Sequence, residues 1–235
     1  MSAEAFALSF FDHDRDIYGT ARSGATLLFH GRQPAPAAEG PELTEDGDGW
    51  RAELAERMSL ALQPVSDEVD LDGVTARICR VTGQVDGTRV DCLGTFSITS
   101  VAPRWEELQA VRSISALVDE GTGVLALARR PREAPGHGDE AVRAGLFTDG
   151  ELHEVEEARI STVYDGGGRQ RSAGLELWLP GEEYPRRGSG QVIAGSSFEL
   201  DTIQVHAAVF RWRLDGREGI GAYELMVRVV PPVAA

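Results

Sequence analysis

The chain has 235 residues, long enough for one large domain or two small ones with buried cores. Its formal charge of −15 repels phosphates, which argues against nucleic acid and anionic membrane surfaces as partners. All 23 basic residues are arginine, so neither a Schiff-base lysine nor a phosphate-loop lysine is available. The opening stretch MSAEAFALSFFDHDRD lacks a basic leader and runs into acids, so it does not read as a secretory signal. No window approaches the roughly 20 apolar residues of a membrane-spanning helix. A cytoplasmic protein without a membrane span is expected, and nothing in the pattern sets an oligomeric state.

In chain order, FFDHDRDIYGTARSG reads as a first strand pair, and RQPAPAAEGPELTEDGDG reads as a loop. In WRAELAERMSLAL the even positions Trp50, Ala52, Leu54, Met58, Leu60 and Leu62 are apolar, as in one strand with a buried face. Leu54, Met58 and Leu62 also fit helical spacing, so that segment stays open between the two. TRVDCLGTFSIT buries Val90, Cys92, Phe96 and Ile98 on one face. LQAVRSISALVDEGTGVLALARR gives two runs joined by a Gly-bearing turn. RPREAPGHGDE and PGEEYPRRGSG read as loops, GLELWLPG alternates Leu175, Leu177 and Leu179, and IQVHAAVFRWRLDGREGIGAYELMVRVV is a long terminal hairpin.

Asp-Gly occurs seven times, at 46, 48, 72, 86, 149, 165 and 215, and it is the strongest short hairpin signal. Strand after strand joined by such turns predicts an all-β chain of antiparallel sandwiches or barrels. A boundary near residue 102 divides it into 1–102 and 103–235. With Asp86-Gly87 as a turn, Cys79 opposes Gly94 and Cys92 opposes Val81. The two thiols are then about 7 Å apart, too far for an easy disulfide, and read as small buried hydrophobes.

With Asp215-Gly216 as the last turn, His206 opposes Leu225, Phe210 opposes Gly221, and Trp212 opposes Gly219. The two glycines are expected to make room for those rings. Glu224 falls on the other face with Val205, Ala207 and Val209, where a lone carboxylate must be paired, protonated or facing a wet cavity. Metal and nucleotide signatures fail. DHDRDIYG lacks the turn glycine and closing glutamate of a calcium loop, HEVEE lacks a second zinc histidine, and no phosphate-binding glycine loop occurs. No cofactor is expected.

WEELQAVRSISALVDEGTGVLALARRP, AGLFTDGELHEVEEARI and LDGREGIGAYELMVR resemble the second half of the carotenoid 1,2-hydratase (hydroxyneurosporene synthase)/AttH-like group. FFDHDRDIYGTARSG resembles that group's first strand pair, and the G-x-G-x-x-E of Gly219, Gly221 and Glu224 is the most specific match. The resemblance implies two tandem lipocalin-like β-barrels. It also implies an isoprenoid or polyene as the kind of molecule handled. The sequence departs from the group at its junction, where SITSVAPRWEELQAV keeps Trp105 but has no histidine.

Three functions follow as expectations. One is binding of a hydrophobic small molecule in a barrel cavity, lined by Phe96, Trp105, Trp178, His206, Phe210, Trp212 and Tyr223. The second is a cofactor-independent hydro-lyase, isomerase or cyclase for a terpenoid or polyene, with Glu224, Asp16 and His13 as acid–base groups. The third is a filled-barrel structural or interaction protein.

Overall fold

The computed structural model describes residues 5–134, 139–200 and 202–229. All nineteen elements among them are β-strands. The first half supplies β1 (Ala5–Asp12), β2 (Ile17–Arg22), β3 (Ala25–His30), β4 (Gln33–Ala37), β5 (Glu42–Asp46), β6 (Gly49–Leu54), β7 (Met58–Pro64), β8 (Val69–Asp70), β9 (Val74–Val85) and β10 (Thr88–Thr99). The second supplies β11 (Leu108–Asp119), β12 (Thr122–Pro131), β13 (Ala141–Thr148), β14 (Glu151–Glu154), β15 (Glu157–Tyr164), β16 (Gln170–Trp178), β17 (Arg186–Leu200), β18 (Ile203–Leu214) and β19 (Arg217–Arg228).

Two curled antiparallel sheets result, and among the described residues no ladder joins them. The first runs β4-β3-β2-β1-β10-β9-β7-β6-β5 with β8 on β9, and the second runs β14-β13-β12-β11-β19-β18-β17-β16-β15. In each, the first strand of the half pairs with its last. Turn chemistry sets much of this. Asp72-Gly73, Asp86-Gly87, Asp149-Gly150 and Asp215-Gly216 all place both residues at positive φ, as tight primed hairpin turns require. The registers they impose are those read from the sequence: Cys79 faces Gly94, Cys92 faces Val81, and His206 faces Leu225. Both cysteines are free thiols, and burial raises each pKa to about 12, which leaves them unreactive.

Three expectations change. WRAELAERMSLAL is two strands, β6 and β7, turning at Ala55, which has φ 42. Leu54 pairs with Met58 and Trp50 with Leu62, so even residues stay on one face through the turn and mimic a single strand. The loop expected at 32–49 contains β4 and β5 at the two ends of the first sheet. Pro34 and Pro36 fit there because an edge strand tolerates missing donors. PGEEYPRRGSG is a loop only at its start, since Arg186 onward belongs to β17. Part of the loop expected around residue 135 lies outside the described residues.

Strand alternation divides the apolar residues into three cores. One fills the first curled sheet, with Phe10, Leu60, Val81 and Phe96. A second fills the other, with Phe210, Trp212, Tyr223 and Leu175. The third lies between the sheets, where Phe11, Tyr18, Phe29 and Ile78 meet Leu117, Leu125, Phe147 and Val209. Burying each such side chain fully contributes roughly 1.5–3 kcal/mol.

Gly219 and Gly221 have a different reason from the one expected. They do oppose Trp212 and Phe210. Yet a Cβ on either would overlap the carbonyl oxygens of Leu117 and Ser115 on the opposite neighbour, β11. The Trp212 ring rests instead over Gly190 of β17, 2.7 Å from where its Cβ would be. The glycines let β19 pass tightly across β11, and Ser115 Oγ accepts the Ala222 N–H at 2.9 Å.

Candidate functional site

The turn between β1 and β2 carries a polar chain at the junction of the sheets. Tyr18 is fully buried, and its hydroxyl donates to Asp16 Oδ1 at 2.8 Å. His13 Nδ1 is 3.1 Å from the same hydroxyl. A phenol has one proton, and here it is donated to Asp16, so Nδ1 must be the donor; in the neutral form of the ring Nε2 then carries the lone pair. Burial and the Asp16 carboxylate push the Tyr18 pKa above its ordinary range, which keeps the phenol protonated. Asp12, buried just before, is held by the Arg15 guanidinium at 3.0 Å and the Arg15 N–H at 3.1 Å.

His13 and Asp12 line a crevice of about 320 Å³ where the first sheet meets the second. Phe11 and Leu93 form its wall on one side, and Leu117, Ile193 and Ile220 on the other. Arg211 also lines it, and its charge reaches Tyr18. The volume falls within the usual range for small-molecule sites, which pair apolar walls with a few polar groups.

Glu224 is elsewhere. Its side chain crosses from the second sheet to the first, accepting from Thr20 Oγ1 at 2.6 Å and from the Arg22 guanidinium. Arg22 also contacts Met226 Sδ at 3.3 Å. The carboxylate borders a small inter-sheet cavity of about 90 Å³ with the hydroxyls of Ser9, Thr95, Ser113 and Ser115. His206 points the opposite way, into the second curled sheet, as the register requires. Its Nδ1 lies 2.7 Å from Ser197 Oγ, and burial lowers its pKa.

Inside the second sheet Phe210, Trp212 and Tyr223 pack as one aromatic group, with ring centroids 5.4 and 5.5 Å apart. A buried arginine unseen by the sequence reading joins them. Arg112 Nη1 donates to Thr162 Oγ1 and Tyr223 OH, both at 3.1 Å, while Nη2 reaches the Ile160 carbonyl and pairs with Glu140. Thr162 Oγ1 and Tyr223 OH are 2.6 Å apart, and burial raises the Tyr223 pKa to about 12. The signal was available: Arg112 is the lone charge among Ala110, Ile114 and Ala116 on alternate positions, the same oddity that marked Glu224. Glu140 and Thr162 also line a cleft of about 1200 Å³ along β15 and β16.

The remaining residues scatter. Phe96 is stacked on Trp50 in the first sheet, centroids 3.8 Å apart. Trp105 packs against the inter-sheet core, and its carbonyl accepts from Arg228 at 3.3 Å. Trp178 lies on the outer face beneath Arg159, 4.8 Å from its ring centre, and not in the lumen with Leu175 and Leu177. The structure thus brings His13 and Asp16 together, and separately Phe210, Trp212 and Tyr223. Among the described residues no group of three His, Cys, Asp or Glu is placed to hold a metal, and no helix is long and apolar enough to cross a membrane.

Two curled antiparallel sheets, each wrapped around its own apolar core, define a tandem lipocalin-like β protein, the fold that the sequence resemblance implied. Solved structures of this shape include an AttH-like protein from Nitrosomonas europaea, with 13% identity, a TM-score of 0.61, and coverage of 96% of this chain and 92% of that one. They also include CghA, with 12% identity, a TM-score of 0.63 and coverage of 98% and 89%, a protein also solved with Sch210972. Kievitone hydratase from Nectria haematococca follows, with 7% identity, a TM-score of 0.57 and coverage of 96% and 88%. No protein-family model matches the chain, and no curated protein does.

Proposed function

We infer that the protein binds a hydrophobic small molecule of isoprenoid or polyene type in the crevice between the sheets. The observation that carries this reading is the crevice itself: apolar walls from both sheets, with a polar rim of His13, Arg211 and the carboxylates of Asp12, Asp14, Asp91 and Glu218. An apolar body would displace water from Phe11, Leu93, Leu117 and Ile220, and one polar group on it would meet His13 or Arg211. The folds shared with a hydratase and with a protein solved with Sch210972 are consistent with it.

The orientation of His13 favours a second reading, cofactor-independent hydration, isomerisation or cyclisation. A neutral imidazole with Nδ1–H fixed by Tyr18 and Asp16 presents Nε2 as a base, and the protonated ring then serves as the acid. Glu224 does not share this site, because Arg22 and Thr20 hold it in a different cavity.

The test uses retinol as a neutral polyene probe, followed by quenching of tryptophan emission. Leu117→Trp should fill the crevice and weaken binding at least tenfold while circular dichroism stays native. Unchanged affinity in that folded variant removes the crevice from the reading. His13→Gln with binding kept and turnover of a polyene lost would establish catalysis.

A further inference from the structure

The cleft beside Arg112 carries an inference independent of the crevice. A guanidinium has five N–H donors. In Arg112, 2% exposed, Nη1 donates to Thr162 and Tyr223, Nη2 donates to the Ile160 carbonyl and pairs with Glu140, and Nε has no partner. Nε and Nη2 form one edge of the fork, the edge that a carboxylate grips with two parallel bonds. Glu140 is paired at Nη2 and leaves the other half of that edge unused. A buried donor left without an acceptor is costly, so the site is one bond short of satisfaction.

The placement of Glu140 matters as much. It lines the cleft and pairs with the arginine, which lies behind the lining; the Glu140 side chain is itself only 3% exposed. Val142, Ala158, Ile160 and Leu175 give the same cleft an apolar wall, and Glu156, Glu157, Glu176, Asp215, Arg159, Arg187 and Arg213 give it a charged one. An acid with an apolar body matches both halves of this arrangement. Its carboxylate would take the Nε and Nη2 edge, and its chain would cover the apolar wall.

We propose that the cleft of the second sheet is a binding site for a carboxylate-bearing lipophile, and that Glu140 occupies the ligand's anionic position until displaced. The internal carboxylate is a competitor, so it sets the threshold for binding: only an acid that makes both bonds to Arg112 and also buries apolar surface replaces it. A neutral lipophile gains no such contact and leaves the ion pair in place.

The experiment compares cis-parinaric acid, a fluorescent polyene acid, with its methyl ester on the full chain. Glu140→Gln should bind the acid at least tenfold more tightly than the native protein and the ester no more tightly. The acid should raise the melting temperature of Glu140→Ala, since it restores a counter-ion to Arg112, whereas the ester should not. In Arg112→Met/Glu140→Ala, which removes both charges, preference for acid over ester should disappear. Equal acid affinity in native protein and folded Glu140→Gln overturns the proposal. So does an equal gain for the ester, which would mean that the substitution merely opened the cleft. If Glu140→Gln is too unstable to assay, the double variant decides alone: an acid preference that persists without Arg112 refutes the assignment. Leu117→Trp should change none of these ratios, which keeps failure of the crevice separate from failure of this site.

Discussion

Glu224 is a carboxylate 7% exposed, and its partners belong to the other sheet. Removing one member of a buried ion pair strands the other, at a cost of about 3 kcal/mol or more. Glu224→Gln should therefore lower the urea midpoint by about that stability while keeping the Thr20 bond. Arg22→Met/Glu224→Leu should recover most of the loss, because no uncompensated charge remains. Equal losses in single and double variants would argue against the pair. His206 adds a pH effect. Its folded pKa lies below the ordinary value of 6.5, so the unfolded chain binds its proton first. Stability from this residue is present above pH 6.5 and is lost as pH falls from there through the lower folded value. Melting temperature against pH should flatten across that window in His206→Gln. Residue-scale legibility followed parity. Alternation placed Glu224 and His206 on opposite faces before any coordinates. It could equally have placed Trp178 outside, since Leu177 and Leu179 flank it. Tyr18 and Arg112 were not found, because a buried tyrosine reads as core and an arginine in a strand reads as surface until its neighbours are known.

Strand pairing is where the glycines act. Gly221 has no room for a Cβ, since the Ser115 carbonyl oxygen occupies that place. Gly221→Ala should cost about 1–3 kcal/mol by forcing β19 from β11. Gly195, whose nearest neighbour would be 3.5 Å from an added Cβ, provides the control. Gly195→Ala should fall within about 0.5 kcal/mol of the native protein in the same denaturation assay. If both substitutions proved equally mild, the close approach of β19 to β11 would not be a constraint on the sequence. The glycines also show what pattern reading captures at this scale. Register came from turn chemistry, which is local, so Phe210 opposite Gly221 was readable. The reason for the glycine came from β11, more than a hundred residues upstream, and no local pattern contains that strand. The β6–β7 hairpin was hidden for a related reason. A three-residue turn preserved even-position burial, and Ala55 at its positive φ carries no turn signature.

The whole molecule is two sheets that share one apolar seam, and its stability should follow from that seam. Phe11, Tyr18, Leu27 and Phe29 of the first half are covered by the second, and Leu117, Leu125, Phe147 and Val209 of the second by the first. The Arg22–Glu224 and Arg80–Glu120 pairs add charge contacts across the same division. Cutting the chain at the division proposed from the sequence, 102/103, would leave each fragment with an intact lumen core and an uncovered apolar face. A contiguous apolar face of that kind favours association over a stable monomer. The full chain should therefore unfold as one cooperative unit despite its two sheets. Trp50 is the only tryptophan of the first half, so Trp50→Phe reports the second half alone through Trp105, Trp178 and Trp212. Urea transitions followed by that emission and by far-UV circular dichroism should coincide. The isolated 103–235 fragment should bind a dye for exposed apolar surface and should associate with itself. If emission and dichroism separate, and the fragment stays monomeric and dye-free, each half is a self-sufficient domain. The inter-sheet crevice would then be a contact between independent bodies, free to open, rather than a fixed wall against which a ligand can be held.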